Sequence, residues 1–597
     1  MFDCLGHLAL AGLTVLSWLG AGTVLLRPLG APGDRLLDAL NRIGVGAIAF
    51  ALLTFAAALL GLLHTAAYAP LFAASALIGA LAAVGLSRGA PRLRIGGWAW
   101  WERALAALVA AYVVAVLVAT CAPVTAPDAL LYHVSHPALF AREHGFVEVP
   151  TWPAYQPFTV EMLILDGILL WNPVQGAFAP MLLALGALAA VAGAARWLAG
   201  RSAAFLAAAV FFAQPFMAWV ASSSFVEPGL AFAVALGGWN VARFVRLGDR
   251  DSLLVAAVLA GGAAGMKYVG LAVALALGAT GAALARRRLD ARTVAVFAAP
   301  AILVALPWYA KNAILTGDPV YPLLAGDANP EAAESRRQVL EGYGHGRSAL
   351  DALLLPFRLL GDAEAFDRGE FVSPLFLMFA PLALLVRGAR TAVAAVLLAA
   401  SAYLGAWFLA SQQARFLTAL MPPLALLAAV GVLALARRGT AGRLLSVAAV
   451  AGALTAGAAV TAVYAAQFVP VVLGTQTDRE YLREKTTAYE AVEWINANLP
   501  RDARVLVDFA SVLYLERDHE HLSLEALSPR AGPERTRAFI EQTGITHAAI
   551  VAAHEHRVRQ MEYADARVLA RLVVHEVRSR TLAAPPIPFE MLVYELP

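Results

Sequence analysis

Apolar positions in this chain gather in long unbroken runs instead of alternating with polar ones. Short arginine-bearing loops separate the runs up to about residue 470. A helix that crosses a bilayer needs about 20 mostly apolar residues. Runs of this kind lie at 8–26, 43–63, 67–87, 104–123, 177–195, 203–221, 226–245, 252–266, 268–285, 293–312, 372–386, 391–410, 416–435 and 444–464. They predict a mainly α polytopic membrane protein with about 14 transmembrane helices. Residues 252–285 make one 34-residue run, too long for one span and barely enough for two. Gly261, Gly262 and Gly265 precede Met266-Lys267-Tyr268 and mark a break there. A half of about 14 residues reaches only about 21 Å, so Lys267 is expected below the outer surface or in a cavity. An ionisable side chain at that depth is a functional-site candidate; the plainer reading is a lysine snorkelling to the surface.

Basic loops are retained in the cytoplasm, so the arginines orient the spans. With the N-terminus outside, 21 cations fall on the cytoplasmic side, in clusters such as Arg27/Arg35/Arg42, Arg88/Arg92/Arg94/Arg103, Arg243/Arg246/Arg250 and Arg286/Arg287/Arg288/Arg292. The outer segments ahead of residue 475 hold nine. Met1–Leu8 lacks the basic stretch that opens a cleavable signal, so the first run reads as a retained span. The expectation is a multi-pass integral membrane protein with both termini non-cytoplasmic. Its transmembrane domain covers 1–474, with outer loops at about 124–176 and 313–371, and a non-cytoplasmic domain covers 475–597. Within the first loop the run 158–171 is apolar but carries Glu161 and Asp166, which leaves a re-entrant or interfacial helix open.

The last 120 or so residues change character to the charge density of a soluble α/β domain. Thr487 and Glu490 have capping-box spacing for a helix through Trp494. Strands are expected at 504–509, 547–552, 571–577 and 589–596, with a helix at 534–542. His519, His521, His554 and His556 read as solvated loop residues ahead of metal ligands. Composition agrees with the membrane reading: 60% of residues are hydrophobic and 15% charged, against about 25% charged in soluble domains. The net charge of +3 gives no sign of a nucleic-acid partner. Cys4 and Cys121 both fall near the outer surface, where one disulfide is conceivable; two inert thiols are the preferred reading.

Candidate chemistry concentrates at outer span ends. In Thr125-Ala-Pro-Asp128-Ala-Leu-Leu-Tyr132-His133-Val-Ser-His136, the residues Asp128, Tyr132 and His136 are spaced by four and share a helix face. A carboxylate there either caps an interfacial helix or acts as a general base at the membrane surface. Glu227 opens a span in Val226-Glu227-Pro228-Gly229, as a cap or as a second acid of the same pocket. Lys267, Lys311 and Arg415 are outer-facing cations suited to a lipid phosphate.

In this order the motifs resemble the polytopic glycosyltransferases of the GT-C fold, in particular the bacterial glycosyltransferase 39-like set that includes protein O-mannosyltransferases and aminoarabinose transferases. The likeness rests on Asp128 opening the first loop, Tyr155 and Pro157, Glu227-Pro-Gly, and Gly265-x-Lys267-Tyr268. It also rests on Trp308…Asn312…Gly317-Asp-Pro-Val-Tyr-Pro322 and on Gln413-x-Arg415-Phe416. The resemblance implies inverting transfer of a sugar from a polyprenyl-phosphate donor to a glycan, lipid or protein acceptor outside the cytoplasm. It casts Asp128 as base, and Tyr132, His136, Tyr155, Glu227, Lys267, Tyr268, Lys311 and Arg415 as substrate-binding residues. Ala129 stands where many relatives carry a second acid. No cofactor is certain and a divalent metal stays open. The competing readings are a secondary transporter or lipid flippase, a non-catalytic scaffold, and an envelope polysaccharide ligase or polymerase.

Overall fold

The computed structural model describes residues 2–88, 95–149, 151–324, 337, 341–362, 364–366, 372–521, 533–554, 566–577 and 586–596. Arg92, Arg94 and His556 lie outside these. Helices α1 (Phe2–Leu25), α2 (Arg35–Leu59), α3 (Thr65–Ser87) and α4 (Trp100–Thr120) open the chain. The first large loop holds α5 (Ser135–Arg142) and α6 (Thr159–Leu170). Then come α7 (Pro173–Ala199), α8 (Arg201–Phe212), α9 (Pro215–Ser222), α10 (Glu227–Leu247), α11 (Arg250–Ala264), α12 (Val269–Leu284) and α13 (Ala291–Thr316). Further along are α14 (Ala349–Gly361), α15 (Leu375–Phe379), α16 (Arg390–Leu409), α17 (Met421–Ala436) and α18 (Thr440–Ala466).

Each of the fourteen apolar runs forms helical structure. Among the described residues ten helices are long and apolar enough to cross a membrane, or eleven if bent α8–α9 is one span. Three runs fall short for a physical reason. Helices α11 and α12 have 15 and 16 residues, about 23 Å of rise. The run at 372–386 breaks into α15 and a 3-10 turn at Pro381–Leu385.

Small residues set the closest contacts, as is usual where helices pack in lipid. A methyl group on Gly46 would come within 1.8 Å of the Trp18 carbonyl, so α1 and α2 touch backbone to backbone. Helices α7 and α10 form the buried centre. The arginine loops meet on one face: Arg196 reaches Asp34 at 3.6 Å and Arg250 reaches Asp290 at 3.5 Å. Arg243 donates to the Pro32 carbonyl at 2.8 Å, and Arg288 to that of Phe244 at 2.9 Å. At the opposite face Cys4 and Cys121 are disulfide-bonded, which corrects the reading of two inert thiols. The start of α1 and the end of α4 arrive there side by side, with 5.4 Å between the two Cα atoms.

On the disulfide-bearing side stands the C-terminal layered unit. After α19 (Val469–Leu473), α20 (Asp478–Lys485) and α21 (Tyr489–Asn498) come strands β1 (Arg504–Val507) and β2 (Asp518–His521). Helix α22 (Pro533–Thr543), β3 (His547–Val551), β4 (Arg567–Glu576) and β5 (Ile587–Glu595) follow. The sheet order is β2-β1-β3-β5-β4, with β2, β1 and β3 parallel and the other pairings antiparallel. Strand β2 was not anticipated, because Asp-His-Glu-His carries no apolar pattern; it places His519 and His521 in the sheet instead of a loop. The capping box forms at Thr477 and Glu480, on α20. Thr487 instead accepts from the Val577 amide and Glu490 pairs with His575, while α21 starts after Ala488 at φ 59°.

Candidate active site

Asp128 sits at the head of a wide turn, Ala129–His133, closed by a bond of 2.9 Å from the Val134 amide to the Ala129 carbonyl. Such i→i+5 turns recur at functional sites. The Asp128 side chain caps nothing. Instead its Oδ2 accepts from Arg415 Nη1 at 2.6 Å and from the Tyr132 hydroxyl at 3.1 Å. Burial pushes the Asp128 carboxyl up, but Arg415, with His133 and Lys267, outweighs it and holds the group down at about 2. Its side chain is 30% exposed, whereas Glu227 across the site is fully buried.

Arg415 is built into position. The chain leaves α16 in an extended stretch and re-enters helix through a 3-10 turn at Ala414–Leu420, ahead of α17. Trp407 donates to the Gln413 carbonyl at 2.7 Å and Tyr403 to that of Phe416 at 2.8 Å, which fixes this stretch. Gln413 Oε1 then accepts from Arg415 Nη2 at 2.6 Å and Nε at 3.0 Å. The guanidinium carbon rests 4.9 Å from the Phe225 ring centre and 5.4 Å from that of Phe416.

The break between α11 and α12 presents Lys267. Gly265 has no room for a side chain: a Cβ would lie 2.7 Å from the Trp308 ring. The Gly265 carbonyl takes the Thr159 amide at 2.9 Å and its hydroxyl at 2.6 Å, tying the break to α6. Lys267 is 7% exposed and donates to Glu227 Oε1 at 3.1 Å, with its ammonium 4.3 Å over the Phe416 ring. Two cation–acid pairs thus flank one aromatic ring.

The other predicted residues support this centre at different distances. Lys311 stands apart, donating to the Ala154 and Gln156 carbonyls at 2.9 and 3.1 Å. Tyr268 accepts from Asn312 at 2.8 Å, and its hydroxyl lies 2.8 Å from the Tyr321 carbonyl and 3.1 Å from that of Tyr155. Tyr155 packs edge-on against Tyr321 and donates to Glu148 at 2.9 Å. His136 is buried against Tyr132 and Phe158, and burial takes it down to about 3. Tyr132 bonds Asp128, whereas His136 follows the wide turn, in α5. His133 Nδ1 and Glu161 Oε1 form a buried pair, 2.7 Å apart, that no spacing in the chain predicts. The signal for it was an acid inside an apolar helix. The other such acid, Asp166, accepts from Thr54 at 2.6 Å. Among the described residues no group of three or more His, Cys, Asp or Glu is placed to hold a metal ion.

No family model and no curated protein matches the chain. A solved structure of ArnT from Cupriavidus metallidurans bound to undecaprenyl phosphate matches with a TM-score of 0.53 at 14% identity. That match covers 82% of this chain and 97% of that one. The fold is GT-C. The apo form of the same ArnT matches with a TM-score of 0.53 at 15% identity, over the same shares. The arabinofuranosyltransferase AftD from Mycobacteria matches with a TM-score of 0.48 at 16% identity, over 83% of this chain and 40% of that one. Within this GT-C core an apolar groove of about 350 Å³ begins at Tyr403 and Leu420, close in sequence to Arg415. It passes Trp239 and Val393 and ends at Arg246, near the arginine face.

Proposed function

We propose that this protein is a membrane glycosyltransferase that moves a sugar from a polyprenyl-phosphate donor to an acceptor on the non-cytoplasmic side, with inversion. The observation that carries the reading is the Asp128–Arg415 pair set beside the Lys267–Glu227 pair, with the Phe416 ring between the two cations. The groove takes part of an isoprenoid chain, and Arg415 and Lys267 take the phosphate, aimed at the charge that develops as it leaves. The acceptor oxygen attacks the anomeric carbon, the bond from that carbon to the phosphate oxygen breaks, and the acceptor proton passes to Asp128. Arg415 and Tyr132 both bond Oδ2, so Oδ1 is the oxygen that receives the proton. When Arg415 shares its charge with a phosphate, Asp128 becomes a stronger base at the moment it is needed.

The side assignment is supported by the arginine loops gathering on one face and by the disulfide at the other, since disulfides persist in oxidising compartments. On that reading both termini and the C-terminal unit face away from the cytoplasm of a bacterial inner membrane. Glycan, lipid and protein acceptors all fit the site's chemistry. The test is transfer from labelled polyprenyl-phosphate sugars to a membrane extract by purified protein. Asp128→Asn is expected to abolish transfer while leaving the protein folded, and full activity in that variant removes the base assignment.

A further inference from the structure

The segment that delivers Asp128 to the site runs from Cys121 to Pro127 between two helical elements. Ala122 packs in one apolar cluster with Val471, Tyr481 and Leu482, and two further ties hold the segment from outside. One is the disulfide from Cys121 to Cys4. The other comes from the C-terminal unit: the Tyr514 hydroxyl donates to the Val124 carbonyl at 2.8 Å, four residues before Asp128.

Tyr514 ends a 3-10 turn, Ser511–Tyr514, that packs directly on the wide turn Ala129–His133 and on α5. Leu513 and Tyr514 are the residues of this unit that pack against the membrane core cluster. The turn is itself braced from within its own unit. Asn496 of α21 donates to the Tyr514 carbonyl at 2.9 Å, and the Ser511 hydroxyl bonds the Thr487 carbonyl. The Tyr514 ring meets that of Tyr489 edge-on. A second bridge, Arg142 to Asp518 at 3.2 Å, joins α5 to β2 but is exposed on both sides and worth little. The part-buried hydroxyl–carbonyl bond is the tie with directional content.

We infer that Tyr514 is a positioning residue, through which the C-terminal unit sets the register of the segment carrying Asp128. This rests on the glycosyltransferase reading of the site. A carboxylate acting as base must sit within hydrogen-bond reach of the acceptor hydroxyl, and displacements of about 1 Å cost up to about a hundredfold in rate. Arg415 and Lys267 are held by α16, α17 and the α11–α12 break, none of which depends on Tyr514.

The test is Tyr514→Phe, which keeps the packed ring and removes only the hydroxyl. Two measurements are made on the full-length protein in detergent: hydrogen exchange of the amides between residues 124 and 134, and transfer kinetics alongside equilibrium binding of undecaprenyl phosphate. The expected result is faster exchange in that segment and a kcat lower by about tenfold, with the lipid-phosphate Kd unchanged. Exchange at the parental rate overturns the tie, whatever the activity. Faster exchange with parental kcat overturns the positioning role. A loss of lipid-phosphate binding in step with kcat also overturns it, because a general loosening of the fold then explains both. If the parental protein transfers no sugar, the functional reading falls, and the exchange data still decide the tie.

Discussion

Asp128 holds the Arg415 guanidinium, and on the proposed reading an incoming phosphate competes for it, which makes the effect of removing the acid calculable. Asp128 is held at about 2, against about 3.9 for an unperturbed aspartate. A difference of that size corresponds to roughly 2.6 kcal/mol of net stabilisation of the carboxylate by its cations. Water reaches a side chain that is 30% exposed, so screening trims the usable part to about 2 kcal/mol. A phosphate that draws Arg415 away must overcome that amount. Asp128→Asn removes the competing charge, so undecaprenyl phosphate is expected to bind more tightly, by fivefold to a ceiling of about 30-fold. Titration calorimetry in detergent measures it, on the parental protein, Asp128→Asn, Arg415→Gln and the double variant. The gain should vanish in the Arg415→Gln background, since the competition runs through that side chain. Unchanged or weaker binding in Asp128→Asn refutes the competition, and an equal gain without Arg415 refutes the route. The same pair sets a pH window. The folded value is depressed, so the pairing contributes its full stability above about pH 4 and loses it as pH falls towards 2.

Three further outcomes follow from the geometry. Lys267→Met leaves Glu227 buried without its cation and should cost about 3–5 kcal/mol in detergent unfolding, most of it recovered by adding Glu227→Gln; a single variant of parental stability contradicts the pairing. Lys311→Met loses two backbone carbonyl contacts and should lower stability by about 1.5–3 kcal/mol with lipid-phosphate affinity unchanged, whereas weaker affinity would return Lys311 to the phosphate set. The unreduced, denatured protein should take up no maleimide and the reduced protein two equivalents, and labelling without reductant would remove the Cys4–Cys121 bond.

The spans and the break before Lys267 were legible because length, apolarity and glycine placement are local properties of the chain. Asp128 and Arg415 were each legible as candidates, but their contact joins residues 287 positions apart and no spacing rule reports it. Lys311 illustrates the limit from the other side. Its position at the outer end of α13 marked it as a candidate, but its contacts with the carbonyls of Ala154 and Gln156 were not legible. Backbone acceptors leave no mark in a sequence. Thr487 and Glu490 had correct capping spacing but were recruited by Val577 and His575, so tertiary partners overrode a local signal. His133 and Glu161 lie 28 residues apart on different helical elements, and only the apolar setting of Glu161 hinted that it needed a partner.

The ring of Phe416 lies under the Lys267 ammonium at 4.3 Å and beside the Arg415 guanidinium at 5.4 Å. Two like charges sharing one benzene ring would ordinarily drive each other apart. The electron-rich face attracts both and adds no net charge of its own. A carboxylate in that place would neutralise what it gathered, and would bind or lose a proton as the medium changed. Phenylalanine has no proton to exchange and no charge to contribute. It serves as a neutral spacer that holds two cation–acid pairs side by side without adding a third acid to them, and its own contribution does not change with pH.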